Sequence, residues 1–315
     1  MKDLMDKISV PISGLMLGLA EAGNLVSSQE VALKIIFGFV SALILALILI
    51  KIVSNPKAFK GDLNNPAVAG VASTFPMGII VLSTYVNSFF PSAAYAMWIA
   101  GILMQFVIII LFTRKFIFNF DINKVFPCYF VVYVGVAVGS IVAPIFNAAD
   151  IGRVLFWFGF ISYLILLPIM LYRVFIVKSF PEPAVPTLTI FAAPSSICLA
   201  GYLSSFNVIN MNIFWGLVIS AVIMLFAVLM YMPKMLKLKF YPSYSAFGFP
   251  LVISAIAMQH ANGFLANMNL EVPLLQYIGY FEELLAVLFV VYVLVHYANF
   301  LFGDYRQKVK FNIFR

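Results

Sequence analysis

Two side chains that exchange protons lie within long apolar stretches of this sequence. Glu21 interrupts an apolar run near the N-terminus, and His260 lies near the end of a run that begins at Ser243. An ionisable residue inside an apolar span indicates function, because burying its charge in a membrane is costly. Glu21 and His260 are therefore the candidates for coupling or selectivity.

Three interpretations of Glu21 stay open. The carboxylate is solvated at the outer end of its span, or it pairs with Lys34 or His260, or it lines a pore and couples transport to protons. His260 is more often an interfacial histidine with a hydrogen-bond partner than a proton relay. Glu282 and Glu283 are expected near the outer surface, at the start of a last helix that projects beyond the bilayer.

Other kinds of chemistry have little support in the sequence. Cys128 and Cys198 form no CxxC motif, and His260 and His296 form no HxxxH pair. We find no GxGD motif, no HExxH motif and no paired intramembrane aspartates, and no serine and histidine stand in a convincing catalytic arrangement. We therefore expect no enzyme activity, no metal site and no cofactor.

Composition indicates a membrane protein. Hydrophobic residues make up 64% of the chain and charged residues 10%, and the mean hydropathy is +1.07. A soluble domain has about 25% charged residues. We predict an all-α polytopic membrane protein. The net charge of +7 does not indicate nucleic acid, because the basic residues are expected on one side of the membrane.

Ten apolar runs are about 20 residues long, the length needed to cross a bilayer. They form a single channel or transporter domain over residues 1–315. The predicted spans are roughly 8–26, 31–52, 67–88, 92–113, 125–146, 152–174, 187–206, 211–232, 243–262 and 273–300.

The joins between these spans alternate in charge. Of the 19 lysine and arginine residues, only Lys34 and Arg153 fall outside the termini and the joins that follow even-numbered spans. The positive-inside rule then places both termini in the cytoplasm. Odd-numbered spans begin about 60 residues apart, which indicates a repeated helical hairpin. We predict five hairpins around a central pore in the cell membrane, either plasma or inner.

Helix breakers and small residues concentrate in the odd-numbered spans. Small residues also favour close helix packing, which is the simpler interpretation. That interpretation does not explain why prolines favour alternate spans. We predict that the odd spans form an inner ring, and that its pore-lining or kinked positions are Pro11, Gly14, Gly18, Pro76, Gly135, Gly139, Pro194, Gly248 and Pro250.

The ninth span has the most pronounced break, at Phe247-Gly248-Phe249-Pro250. A proline inside a helix has no N–H to donate, so Pro250 would leave the Ala246 carbonyl without its helical partner. Within a membrane such a break survives only where it is buried in protein or lines a water-filled cavity. A bulky phenylalanine beside the break, among small neighbours, is expected to plug a pore. This segment is predicted to carry the gate of an ion-conducting pathway.

Several short stretches carry a family resemblance across nearly the whole chain. They are GLMLGLA at Gly14–Ala20, DLNNP at Asp62–Pro66 followed by FPM, LTIFAAPSSICLAGYLS at Leu188–Ser204, FWG at Phe214–Gly216 and AFGFPL at Ala246–Leu251. Their order and spacing resemble those of the tellurite-resistance/dicarboxylate transporter (TDT) family, which includes the bacterial TehA channels and the plant slow anion channels.

The resemblance implies a homotrimer in the lipid bilayer, in which each protomer surrounds its own pore. It also implies transport of small inorganic anions or dicarboxylates, and a pore closed by a phenylalanine of the ninth helix. Phe249 matches that position, and Phe247 is the fallback because a gap in the alignment exchanges the two. We expect an anion channel or low-affinity anion transporter. The alternative is a proton-coupled transporter of C4-dicarboxylates such as malate, of sulfite or of tellurite-related anions.

Overall fold

A computed structural model describes the backbone of residues 7–27 and 29–313, and side chains through residue 303. Within these residues the protein is helical and has no β-strand. The predicted all-α fold is therefore confirmed. The apolar side chains explain the helical fold. They place the segments in a membrane, where only a helix satisfies every backbone polar group within a single spanning segment.

Ten segments, numbered α1 to α10 in chain order, correspond in sequence to the ten predicted spans. Two of them are short or interrupted: α1 is Ile12–Leu25, and α5 comprises Cys128–Tyr133 and Gly135–Phe146. Eight are long and apolar enough to cross a membrane: α2 Val31–Ser54, α3 Pro66–Asn87, α4 Pro91–Ile117, α6 Ala149–Val177, α7 Glu182–Ser205, α8 Met211–Met235, α9 Pro242–Asn267 and α10 Pro273–Gly303. The last helix continues to Ile313.

The structure differs from the predicted spans at three places. The first helix has 14 residues and is about 21 Å long, which is shorter than the hydrocarbon core. The fifth span is divided by 3₁₀ turns at Gly135–Ala137 and Ala143–Phe146, where glycine and proline weaken α-helical hydrogen bonding. The last helix extends beyond the predicted end at residue 300.

Prolines of the odd-numbered segments stand where α-helices begin. Pro194 and Pro250 lie in the first turns of Ala193–Ser205 and Phe249–Asn267, and each helix follows a 3₁₀ segment. Pro11 directly precedes the helix of α1. The interruption of α9 lies at Gly248, where the 3₁₀ segment ends, and Pro250 is the second residue of the α-helix that follows. In a first turn the missing N–H costs nothing, because that group has no helical acceptor there.

Burial alternates along the chain. In α3, α7 and α9, 67 to 83% of the most apolar stretch is buried within the protein, against 22 to 33% in the even-numbered segments. Each even-numbered segment packs on the odd-numbered segment before it. The odd-numbered segments also contact one another in order, and α9 contacts α1. Their contacts form a closed ring, with the even-numbered segments outside it.

Arg173 forms hydrogen bonds between separate segments of the chain, on the side of the protein where the basic joins lie. The side chain is fully buried at the end of α6. Its guanidinium donates hydrogen bonds to the carbonyl oxygens of Val125, Asn123 and Ser179, at 3.2, 3.2 and 2.6 Å. The group also stacks on the ring of Phe180, 4.4 Å from its centroid. This arginine therefore joins the chain before α5 to the chain after α6.

Replacing Arg173 by alanine is expected to lower the free energy of unfolding by about 1–3 kcal/mol, because the buried carbonyl group of Val125 and the more exposed carbonyl groups of Asn123 and Ser179 lose a charged donor. Thermal unfolding of purified protein in detergent measures the change. The matched control is Arg114→Ala, since Arg114 is exposed at the end of α4. Equal unfolding midpoints for the two variants would contradict the structural role of Arg173.

Candidate functional site

The ring of odd-numbered segments encloses a small cavity. Its volume is about 30 Å³, which is room for about one or two water molecules. All five odd-numbered segments contribute to its wall. The lining residues include Gly14, Thr74, Phe130, Pro194, Phe249 and Pro250. Among the described residues that line it there is no lysine, arginine or carboxylate.

The cavity lies at the N-terminal ends of α-helices. Thr74 is the first residue of Thr74–Asn87, and Pro194 and Pro250 are the second residues of their helices. Gly14 is likewise in the first turn of α1. The N-terminal end of a helix carries a partial positive charge. These ends therefore create a positive potential at a site that has no fixed charge of its own.

The structure distinguishes Phe249 from Phe247. Phe249 lines the central cavity and is 5% exposed. Phe247 is fully buried away from that cavity. Its ring packs against Tyr244 and Phe289, with centroids 4.8 and 6.2 Å apart. Phe249 is thus the phenylalanine of this pair that faces the axis.

Gly18 and Gly248 lie where α1 contacts the start of α9. A Cβ atom added to Gly18 would lie 3.1 Å from the backbone nitrogen of Phe249 and 3.5 Å from the Cα of Gly248. A glycine at this position allows the two backbones to approach closely, and a side chain would require the start of α9 to move by a few tenths of an ångström. The contact fixes the position of Phe249 relative to α1.

Small hydroxyl groups surround the cavity. Thr74 shares a hydrogen bond of 2.7 Å with Ser13. The hydroxyl groups of Ser195 and Ser245 are buried, and Ser245 lines the cavity. Sequence reasoning missed these residues, although each serine stands within five positions of a predicted breaker. Such hydroxyl groups are able to donate to an anion in the cavity.

A wider vestibule of about 370 Å³ lies towards the lysine-rich joins. Pro11, Asn65 and Tyr241 are among its lining residues. Val71 lines both the vestibule and the central cavity. The two spaces therefore adjoin at this residue. Asp62 is a charged residue that lines the vestibule.

Besides Gly18 and Gly248, three more predicted pore positions lie in helix contacts and are not among the residues that line these two cavities. The backbone oxygen of Pro76 faces Gly101 of α4. The backbone oxygen of Gly139 accepts a hydrogen bond of 3.2 Å from the indole of Trp98. Gly135 lies against the α3 residue Met77, whose sulfur would be 2.6 Å from an added Cβ. These residues allow the ring to pack closely.

The two ionisable candidates lie away from the central cavity. Glu21 is 3% exposed and accepts a long hydrogen bond of 3.5 Å from Asn24, whereas Lys34 lies over the ring of Tyr85. His260 is 3.5 Å from the hydroxyl of Ser204 on α7. Neither Glu21 nor His260 is among the residues that line the cavity or the vestibule.

The sequence predicted that Glu282 lies near the outer surface. In the structure this residue is buried within the protein. Its side chain is 2% exposed, and both carboxyl oxygens lack a hydrogen-bond partner among the described residues. Glu283 is partly buried and accepts a hydrogen bond of 3.1 Å from Gln259. The rotation of α10 against α9 decides which of these consecutive residues is buried, and sequence alone does not contain that rotation.

Comparison with known proteins identifies one family. The model of the SLAC1 family, described as voltage-dependent anion channel, matches residues 10–298. This match takes in α1 to α9 and most of α10. No curated protein matches the chain. The family consists of channels or transporters. The apolar helices of this chain make it a multi-pass membrane protein. The resemblance to the TDT family is confirmed: the chain belongs to the SLAC1 family of voltage-dependent anion channels.

Proposed function

We propose that this protein is an anion channel whose pore follows the axis of the odd-numbered segments and is closed at Phe249. One observation carries the proposal: residues from all five odd-numbered segments, Phe249 among them, line one central cavity. An axial path through a ring of helices needs such a shared lumen. The adjoining vestibule supplies an entrance to it.

The proposed topology has ten membrane crossings, arranged as five hairpins with both termini in the cytoplasm. The contacts within successive helix pairs support the hairpins. The short α1 and the broken α5 are compatible with crossing, because irregular backbone is tolerated at membrane depth where protein surrounds it. Residues 1–6 and 314–315 lie outside the described residues. Tags placed at either end and tested for access in intact cells would check the orientation.

The proposed pore prefers anions because of the partial positive charges at helix N-termini, and not because of charged side chains. Four helices have N-terminal turns at the cavity, and discontinuous helices of transporters use such turns for anionic groups. The hydroxyl of Ser245 is a further donor in the wall. Without lysine or arginine in the lining, an anion binds weakly and leaves readily, as conduction requires. These features favour a channel over a carrier that binds its substrate tightly.

The small size and the apolar lining of the central cavity close the proposed pore. A cavity of about 30 Å³ does not hold a hydrated ion, and an apolar constriction blocks ions by excluding water. Movement of the Phe249 ring would widen it. Planar-bilayer recording under a chloride gradient tests the assignment. Currents that reverse near the chloride equilibrium potential support an anion channel, and reversal near the cation potential would overturn it.

The second candidate is a proton-coupled transporter of C4-dicarboxylates, sulfite or tellurite-related anions on the same scaffold. The buried carboxyl group of Glu21 favours it, because such groups inside membranes often carry protons. The channel proposal predicts that Glu21→Gln and His260→Ala each retain at least about half of the wild-type conductance, since neither residue lines the cavity. Liposome flux of chloride and labelled malate, with and without a pH gradient, measures this.

Malate uptake that depends on the pH gradient, and that disappears in Glu21→Gln, would replace the channel with the coupled carrier. Ser204→Ala is a suitable control, because it removes the hydroxyl near His260 and leaves both ionisable groups in place.

The proposed assembly is a homotrimer in the cell membrane. It derives from the family resemblance, and the exposed apolar faces of the even-numbered segments support it, since they suit either lipid or a neighbouring protomer. Mass measurement of the purified protein in detergent would test the number of protomers.

A further inference from the structure

A cleft that is larger than the central cavity and the vestibule lies on the outside of the ring. This cleft, of about 550 Å³, separates α2 from α4 and reaches the start of α3. Apolar side chains form most of its wall, including Ile48, Ile52, Phe75, Met104, Ile108 and Leu111. Leu111 is 59% exposed, and both α2 and α4 are largely exposed helices. The cleft therefore opens towards the hydrocarbon of the bilayer.

Two lysines stand at the lysine-rich end of this cleft. Lys60 belongs to the short helix Pro56–Asp62, and Lys115 lies at the end of α4. The ammonium of Lys115 donates to the backbone oxygen of Leu63 at 3.0 Å and to the side-chain oxygen of Asn64 at 2.5 Å. These acceptors are neutral. Within the described residues neither lysine forms a salt bridge.

We propose that this cleft is a binding site for one anionic phospholipid, with an acyl chain in the apolar cleft and the phosphate between Lys60 and Lys115. The occupant follows from complementarity. An apolar cleft open to the bilayer fits a hydrocarbon chain, and two uncompensated cations at the membrane surface fit an anionic headgroup. The assignment of headgroup and chain to one leaflet rests on the proposed topology.

The inner end of the cleft reaches the wall of the proposed conduction path. Val10 lines both the cleft and the vestibule. Ser13 also lines the cleft, and its hydroxyl is hydrogen-bonded to Thr74 of the central cavity. A lipid chain in the cleft therefore packs behind α1, at the level where its helix begins. The site supports the inner ring from the lipid side.

A comparable cleft elsewhere in the protein provides an internal comparison. It lies between α6, α7 and α8, has a volume of about 480 Å³ and is also lined mainly by apolar side chains. Of the described residues that line it, Lys178 is the one that is basic. The cleft between α6, α7 and α8 has one lysine where the cleft between α2 and α4 has two. It is therefore expected to discriminate less between anionic and zwitterionic lipids.

Native mass spectrometry of the detergent-purified full chain tests the site. Phosphatidylglycerol and phosphatidylcholine with identical acyl chains are titrated separately, so that only the headgroup differs. Wild-type protein is expected to bind one phosphatidylglycerol per chain between about tenfold and thirtyfold more tightly than phosphatidylcholine, because each lysine near the headgroup adds a favourable charge interaction. The double variant Lys60→Gln/Lys115→Gln is expected to lose that preference.

Lys57→Gln is the matched control, since Lys57 is an exposed lysine of the same short helix and is not among the residues that line the cleft. It is expected to retain the preference. Ile108→Trp fills the cleft and is expected to weaken binding of both lipids, with an unchanged unfolding midpoint in lipid-free detergent. An unaltered preference in the double variant, or equal losses in Lys57→Gln, would overturn the site. Lipid binding is measured without ion flux, so failure here leaves the channel proposal intact.

Discussion

Replacement of Phe249 by alanine is expected to raise chloride conductance at least about tenfold, which requires the barrier to fall by only about 1.4 kcal/mol. The ring of Phe249 faces a cavity of about 30 Å³, and its removal would widen the narrowest apolar part of the proposed path. Water then enters and carries hydrated ions with it. Bilayer recording of equal amounts of wild-type and variant protein under a chloride gradient measures the change.

Phe247→Ala is the matched control for this experiment. Phe247 is two positions away and equally apolar, but its ring packs against Tyr244 and Phe289 outside the cavity. Its truncation is expected to lower stability by about 3–5 kcal/mol without opening the path. Phe249→Leu is expected to remain closed. If Phe247→Ala conducts and Phe249→Ala does not, the proposed gate is wrong.

Replacement of Gly18 by valine is expected to lower the free energy of unfolding by about 1–3 kcal/mol, as overpacking does in well-packed interiors. A Cβ at this position would lie 3.1 Å from the backbone nitrogen of Phe249, and backbone atoms yield less readily than a flexible side chain. The start of α9 must shift, so the closed position of Phe249 should change as well. Thermal unfolding and bilayer recording together measure both effects.

Gly216→Val provides the comparison, because a side chain added to Gly216 on α8 meets nothing within 4 Å. That variant is expected to unfold within about 0.5 kcal/mol of wild type, as surface substitutions do. Equal unfolding midpoints for Gly18→Val and Gly216→Val would show that the contact between α1 and α9 is not close-packed.

Sequence by itself determined the class of protein, the approximate positions of most segments and the family. The class and the segments come from sums along the chain: mean hydropathy and the length of each apolar run. The family comes from the order and spacing of short stretches. The concentration of prolines and glycines in alternate spans also pointed to the segments that the structure buries. A local count is sufficient for such features, because each residue contributes independently of its neighbours in space.

Tertiary structure alone decided which way each side chain points. Phe249 faces the cavity and Phe247 does not; Glu282 is buried, whereas Glu283 is only partly so. Successive residues on a helix point about 100° apart, so the rotation of one helix against its neighbours determines these outcomes. Pro250 also stands in the first turn of an α-helix, and the residues before that helix form a 3₁₀ segment where α9 packs on α7. Packing between segments distant in sequence selects these arrangements, and no local pattern encodes it.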